Sequence, residues 1–222
     1  MIPGEVKSDI IRFCARMDSK GWVANHDGNI TVRLAGGGFA ATPTARFKGD
    51  LAPSDIIELD SGGKKIAGGG AAFSELSVHL RIYGARREAG AVVHAHPPFA
   101  TAAGCANQEL LTWAMPEAVV SLGAGIPLVG LAMPGSAELW QEFDPLVPCY
   151  DAVMVAGNGV FTWGKNLEQA YLRLELVEHL AQITFRAREL GGAGLLSRDQ
   201  VLALLKKRAE AGLGLPDDGR FL

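Results

Sequence analysis

Hydrophobic residues recur at helical spacing in several segments of the chain. Residues 10–17 show this spacing and predict an opening helix that stops at Gly21. A second helix should start after Ser74 and run towards Glu88. Residues 167–190 predict one long helix, ended by two glycines, and a shorter helix begins near Ser197.

Short runs of alternating or continuously apolar residues between these helices predict strands. They cover residues 30–34, 39–42, 56–59, 91–96, 153–156 and 160–163. The strand at 91–96 is stopped by Pro97 and Pro98, because proline cannot donate a ladder hydrogen bond. Since strands and helices are interspersed throughout, we expect a sheet covered by helices on both faces, in one domain spanning residues 1–222.

Composition narrows the choice of partners. A net charge of −3 without a long basic run predicts binding neither to nucleic acid nor to an acidic membrane surface. The most apolar stretch, residues 118–133, is interrupted by glycines and a proline and is too short to span a membrane. The first nine residues lack the apolar segment of a signal peptide, and three widely spaced cysteines fit reduced thiols. We therefore expect a soluble, cytoplasmic protein.

His94 and His96 are the strongest local signal for chemistry. Residues two apart in a strand point to the same face, so both imidazoles should project together where the strand ends. Imidazole nitrogen is a common ligand of zinc and similar ions. The alternative is a pair of polar residues on a solvated strand face.

Glu75 is a second candidate, placed in the first turn of its predicted helix. An acidic residue there is also a common stabilising device, because the helix dipole favours negative charge at that end. His79 follows four residues later and shares the same helix face. The pair is therefore either a surface contact or two groups aimed into one site.

Residues 74–104 resemble the central signature of the class II aldolase/adducin family, which includes fuculose-phosphate aldolase, ribulose-phosphate 4-epimerase and the adducin head domain. The segment reads SELSVHLRIYGARREAGAVVHAHPPFATAAG. Four further stretches agree in order and spacing: GWVANHDGNITVRL, ATPTARFKGDLAPSDIIELD, GIPLVGLAMPGSAEL and VMVAGNGVFTWGKNLEQAYLRLELVEHLAQI. The resemblance implies a three-layer α/β/α fold around a mixed, mostly antiparallel sheet, and a homotetramer.

The resemblance also implies roles for individual residues. Glu75 matches the catalytic acid/base, which can also touch the metal, and His94 and His96 match two of three histidine ligands. The substrate phosphate would be bound at turns and a helix start by Gly28, Asn29, Thr44 and Ser74.

The chain departs from the family pattern at the third histidine, where Asn158 stands between two glycines. Its amide oxygen could serve as a ligand that suits Mn²⁺ or Mg²⁺ better than Zn²⁺, although Zn²⁺ remains the expected ion. Asn-Gly between two apolar runs is also a strong hairpin signal, so Asn158 could be only a turn residue. His79 or water would then fill the third position.

Two more departures affect the expected phosphate site. Phe73 replaces a serine before the catalytic glutamate, and Ala45 replaces the glycine of a Thr-Gly loop. Arg46 or Lys48 could restore positive charge, or the substrate could lack a phosphate.

The sequence therefore predicts a metal-dependent aldolase that cleaves a carbon–carbon bond in a small hydroxy-keto, sugar-like substrate through a metal-stabilised enediolate. An epimerase or a decarboxylase on the same scaffold is the first alternative. A non-catalytic binding module, as in adducin, is the second.

Overall fold

The computed structural model describes residues 1–133 and 136–215. The chain forms two compact units. The first comprises Met1–Pro97 and Phe161–Tyr171, and the second comprises the described residues of Pro98–Val160 and Leu172–Leu222. The expectation of one domain across the chain stays a prediction.

Seven α-helices and eight strands lie within residues 1–133 and 136–215. The helices are α1 (Gly4–Ser19), α2 (Leu76–Ala85), α3 (Pro98–Cys105), α4 (Pro116–Leu122), α5 (Ala137–Phe143), α6 (Leu167–Glu189) and α7 (Arg198–Glu210). The strands are β1 (Asn29–Arg33), β2 (Phe39–Ala41), β3 (Ile57–Leu59), β4 (Lys65–Ala67), β5 (Ala91–Ala95), β6 (Leu128–Val129), β7 (Ala152–Val155) and β8 (Val160–Gly164). The predicted α/β class is confirmed.

Strand pairing in the first unit is antiparallel where β1 to β5 meet, in the order β4-β3-β2-β1-β5, and β8 follows β5. β1 lies between β2 and β5 and pairs with both. In the β1–β5 pair, Asn29 lies opposite His94 and Thr31 lies opposite Val92. This register fixes which residues of the segment leading into β1 lie near the end of β5.

Helix α1 forms because its apolar residues fall on one face, and Ile10, Phe13, Cys14 and Met17 are all buried. The ring of Phe13 lies 4.8 Å from that of Tyr171, centroid to centroid. The sequence prediction of this helix and of its end before Gly21 is therefore confirmed.

Helix α2 is shorter than predicted, because it ends at Ala85 rather than near Glu88. Arg86 leaves the helical conformation, and its buried side chain lies over the ring of Trp163 and pairs with Glu88. The start also differs: Glu75 occupies the N-cap position and is not in the first turn. Its carboxylate makes no capping bond to the helix because it is used in contacts with other elements, described below.

The second unit adds a parallel strand pair, β6 with β7, so the strand pairing of the protein is mixed. The start of α3 is capped by the carboxylate of Glu178, which accepts hydrogen bonds from the backbone N–H groups of Phe99 and Ala100. Helix α7 begins after Ser197, as predicted, and Ser197 and Gln200 form a capping box at its start. Within residues 1–133 and 136–215, no helix combines the length and apolar character needed to cross a membrane.

Candidate active site

Two matching rows of side chains, one on α2 and one on β1, hold the catalytic candidate in place. Asn29 Nδ2 donates to Glu75 Oε2 at 2.8 Å, and Thr31 Oγ1 lies 2.8 Å from His79 Nδ1. Two residues along a strand span about 6.6 Å and four residues along a helix span about 6 Å. Because these spans are similar, both contacts can form between the two rows. Tyr83 extends the helix row, and its hydroxyl donates to the backbone oxygen of Thr31 at 2.9 Å.

His94 of β5 lies beside the Glu75 carboxylate and beside His96, which follows the last strand residue, Ala95, so the strand ends one residue earlier than predicted. His94 Nε2 lies 3.2 Å from His96 Nε2 and 3.4 Å from Glu75 Oε1. His94 is fully buried, whereas the Glu75 side chain is 15% exposed. The structure thus brings three of the predicted residues together, and their chemical roles stay predictions.

These separations suit a divalent cation. Zinc–nitrogen bonds of about 2.0–2.1 Å at tetrahedral angles place neighbouring ligand atoms about 3.3 Å apart. Among the described residues, no group of three or more His, Cys, Asp and Glu side chains is placed so that it could hold a metal ion. The fit is therefore that of two imidazole ligands with Glu75 beside them, and further ligands must come from another kind of side chain, from substrate or from water.

An aromatic ring holds the plane of His94. Phe161 of β8 stacks on it with ring centroids 4.0 Å apart and an interplanar angle of 11°. Sequence reasoning missed this residue, because it lies 67 positions further along the chain and only strand order brings it close. The stacked ring shields one face of His94 from water, which leaves the ring edge for coordination.

His79 is a buried, neutral ring in the same row as Glu75. The pKa of His79 is lowered to about 3, chiefly by burial and also by nearby His94, while Glu75 opposes the shift. The ring also contacts Phe73 edge to face at 5.1 Å, so Phe73 packs on this histidine. His79 Nδ1 is engaged by Thr31, and Nε2 has no hydrogen-bond partner among the described residues.

The four residues expected to bind phosphate fall into two groups. Gly28 and Asn29 are buried, and the side-chain N–H group of Asn29 is used by Glu75, whereas Thr44 and Ser74 are exposed. The Thr44 backbone N–H donates to the oxygen of Ala71 at 2.9 Å, which ties the Thr44 loop to the segment that leads into α2. Phosphate binding by these four residues stays a prediction.

Ala45 keeps the backbone conformation that glycine would adopt. Its φ is +53°, in the left-handed region that costs a non-glycine residue about 1–2 kcal/mol. The replacement of the family glycine therefore leaves the loop conformation in place, at a cost in stability.

Lys48 and Arg46, the candidates for restoring positive charge, differ in environment. Lys48 is buried, and its ammonium donates to the backbone oxygens of His26 and Arg46 at 3.1 and 2.8 Å. Burial lowers the pKa of Lys48, while Cys14, Asp27 and Glu75 oppose the shift. Lys48 thus connects two loops. Arg46, in contrast, is exposed, and its Nη2 atom lies 3.4 Å from Asp55 Oδ1.

Asn158 lies in the second unit, half-buried in the turn between β7 and β8. Its backbone N–H donates to the oxygen of Val155 at 2.9 Å, as expected of a hairpin turn. Coordination by its side chain stays a prediction.

Asp27 is a second residue of this site that sequence reasoning overlooked. Its Oδ2 atom lies 3.2 Å from His96 Nδ1. The signal that could have found it is the β1–β5 pairing, because continuing that register two residues past Asn29 and His94 places Asp27 opposite His96.

Comparison with known proteins identifies relatives along most of the chain. The model of the Class II Aldolase and Adducin N-terminal domain matches residues 8–185. 3-Oxo-tetronate 4-phosphate decarboxylase of Pectobacterium atrosepticum is 29% identical over 183 residues, 81% of this chain and 83% of that protein. Methylthioribulose-1-phosphate dehydratase of Granulibacter bethesdensis is 30% identical over 196 residues, 82% and 91%. L-fuculose phosphate aldolase of Methanocaldococcus jannaschii is 32% identical over 180 residues, 80% and 94%.

The fold has a counterpart among solved structures. That of an L-fuculose 1-phosphate aldolase matches with a TM-score of 0.84 at 24% identity, covering 93% of this chain and 97% of that one. This likeness supports the fold and by itself says nothing about the reaction. The family match, in contrast, extends over the segments that carry Asn29, Glu75 and the histidines at positions 94 and 96, and the chain therefore belongs to the class II aldolase and adducin family.

Proposed function

We propose that this protein is a metal-dependent, aldolase-type lyase that cleaves a carbon–carbon bond in a small, phosphorylated hydroxy-keto sugar. The proposal depends on His94 Nε2, which lies 3.2 Å from His96 Nε2 and 3.4 Å from Glu75 Oε1. The names of the relatives support the substrate class, since an aldolase, a dehydratase and a decarboxylase each act on a phosphorylated, sugar-like compound.

His94 and His96 would hold a divalent ion, Zn²⁺ or Mn²⁺. Bound there, the ion supplies a Lewis acid for substrate oxygens that become negatively charged during the reaction. The burial of His94 supports this role, because a buried imidazole needs a partner to offset its desolvation.

Glu75 would move the proton. Asn29 holds one oxygen of its carboxylate at 2.8 Å and so aims the other oxygen towards the histidines. In the proposed reaction this carboxylate takes the proton from the substrate hydroxyl as the carbon–carbon bond breaks. The resulting carboxyl group then returns a proton to the carbon fragment.

The exposed hydroxyl groups of Thr44 and Ser74, with the turn at Gly28, would bind the substrate phosphate. The proposal includes a homotetramer in the cytoplasm. Free thiols at Cys14, Cys105 and Cys149 fit a reducing compartment, and light scattering of purified protein would measure the assembly.

The test uses purified protein, stripped with a chelator and reloaded with Zn²⁺ or Mn²⁺, and a panel of phosphorylated hydroxy-keto sugars. Nuclear magnetic resonance identifies the products: two carbon fragments support the aldolase, whereas carbon dioxide, loss of water or an isomer overturns it in favour of another reaction.

The variant that tests the role of Glu75 is Glu75→Gln, which keeps the size of the side chain and removes its basicity. We expect kcat to fall about 100- to 10,000-fold while metal content is retained. Glu189→Gln, on the exposed end of α6, is the control and should match the unmodified protein. A Glu75→Gln variant that turns over substrate at the normal rate removes Glu75 from the mechanism.

A further inference from the structure

We propose that Asp27 is a positioning residue that orients His96 and fixes its tautomer for cation binding. The proposal rests on the metal site described under the proposed function. It assigns a role to a carboxylate that contacts a ligand and is not itself one of the expected ligands.

The strand register places the two side chains together. Asn29 pairs with His94 at the end of the β1–β5 ladder, and two residues further on Asp27 Oδ2 lies 3.2 Å from His96 Nδ1. Each side chain is 28% exposed, so the contact is partly shielded from water. Partial shielding strengthens a charge-assisted hydrogen bond relative to one in bulk water.

The Asp27 carboxylate is held on its other side by its own loop. Its Oδ1 atom accepts a hydrogen bond from the Ala24 N–H, and the Asp27 N–H donates to the Ala24 oxygen at 3.0 Å. Lys48 fastens the same loop through the backbone oxygen of His26. One oxygen of Asp27 is thus committed to the loop and the other to the imidazole.

The same loop also holds the backbone of His96. The His96 N–H donates to the oxygen of Trp22 at 2.9 Å. The loop therefore contacts His96 at two points, one on the main chain and one on Nδ1. Together they restrict both the position of the residue and the rotation of its ring.

The tautomer follows from donor and acceptor chemistry. An ionised carboxylate can only accept, so the hydrogen of the Asp27–His96 contact resides on Nδ1. In the neutral ring, Nε2 then carries the lone pair, and Nε2 is the atom that lies 3.2 Å from His94 Nε2. Partners of this kind also raise the basicity of a metal-binding imidazole, and their loss weakens metal affinity about 10- to 100-fold.

Asp55 provides a matched control within the same unit. Its Oδ2 accepts from the Ala52 N–H at 2.9 Å, and its N–H donates to the Ala52 oxygen at 2.9 Å, which repeats the turn geometry of Asp27. Its other oxygen faces Arg46, and among the described residues its ion pair is with that arginine and not with a histidine. Asp55→Asn therefore reports the cost of disturbing such a turn together with one ion pair.

The experiment measures zinc affinity and tautomer in the full chain. Metal-free Asp27→Asn, Asp55→Asn, His96→Ala and unmodified protein are titrated with Zn²⁺ against a fluorescent chelator, and thermal melting checks that each is folded. We expect Asp27→Asn to bind zinc about 10- to 100-fold more weakly and Asp55→Asn to stay within about twofold of the unmodified protein. Nitrogen-15 spectra of the metal-free protein should show the hydrogen of His96 on Nδ1.

Each contrary result has a distinct meaning. Unchanged zinc affinity in Asp27→Asn, with affinity lost in His96→Ala, overturns the role of Asp27 and leaves the proposed function standing. An equal loss in Asp55→Asn, or a hydrogen on His96 Nε2, also overturns it. If His96→Ala binds zinc normally, the proposed metal site is wrong and the role of Asp27 falls with it.

Discussion

Gly28 links the two residues that contact the catalytic side chains, Asp27 and Asn29, and its replacement by alanine should be costly. Its φ is +69°, and a Cβ atom there would lie 2.5 Å from Val23 Cγ1 and 3.2 Å from the backbone oxygen of His94. The substitution therefore combines an unfavourable backbone conformation with a collision against the Val23 side chain and a tight contact with the backbone of β5. Both effects act at the loop that holds the site.

The expected magnitude is a sum of two parts. A left-handed conformation costs a residue with a Cβ about 1–2 kcal/mol. Crowding a buried position costs about 1–3 kcal/mol more, since Val23 is itself buried and cannot swing away freely. Gly28→Ala should thus lower the free energy of unfolding by about 2–5 kcal/mol.

Gly21 separates the two parts experimentally. Its φ is +68°, but no atom would lie within 4 Å of an added Cβ. Gly21→Ala should therefore cost only the conformational part, about 1–2 kcal/mol. Urea unfolding followed by tryptophan fluorescence gives both values, provided that the slopes agree. Equal destabilisation by the two substitutions would refute the argument from crowding, and a stable Gly28→Ala would refute both parts.

Two further predictions concern buried charge. The pKa of His79 is about 3 in the folded protein against an ordinary value of 6.5. As pH falls from 6.5 towards 3, the imidazole takes up a proton only in the unfolded chain, so the free energy of unfolding should fall by about 1.4 kcal/mol per pH unit. His79→Asn should remove this slope and exposed His26→Asn should not; an unchanged slope in the first would contradict the shift. Asp151 pairs with Arg173 and Arg208 at 2.6 and 2.7 Å, so Asp151→Asn should lower stability in urea unfolding by about 3–5 kcal/mol, and a loss below 1 kcal/mol would be inconsistent with a buried pair.

Local geometry explains what the sequence could predict. His94 of β5 and His96 just beyond it project together because side-chain direction in an extended segment repeats every two residues, whatever the segment pairs with. The helix containing His79 follows in the same way from its apolar spacing. Helices α1, α6 and α7 were predictable because their stop signals and caps lie within the chain beside them.

The rest depends on contacts between distant segments. Asp27 and Phe161 reach the histidines only through the pairing of β1 with β5 and the placing of β8 beside β5, which no local pattern records. The N-cap position of Glu75 and the early end of α2 have the same origin. In both cases contacts with side chains of other elements hold a residue outside the helix, although the helical pattern alone would include it.

The β1–β5 register makes the assembly of this site an all-or-none event. Asn29 pairs with His94 because the ladder has one particular alignment. A slip by a single residue would turn Asp27, Asn29 and Thr31 towards the opposite face of the sheet. Molecules trapped in that misaligned state would retain every side chain of the proposed active site and yet lack its geometry.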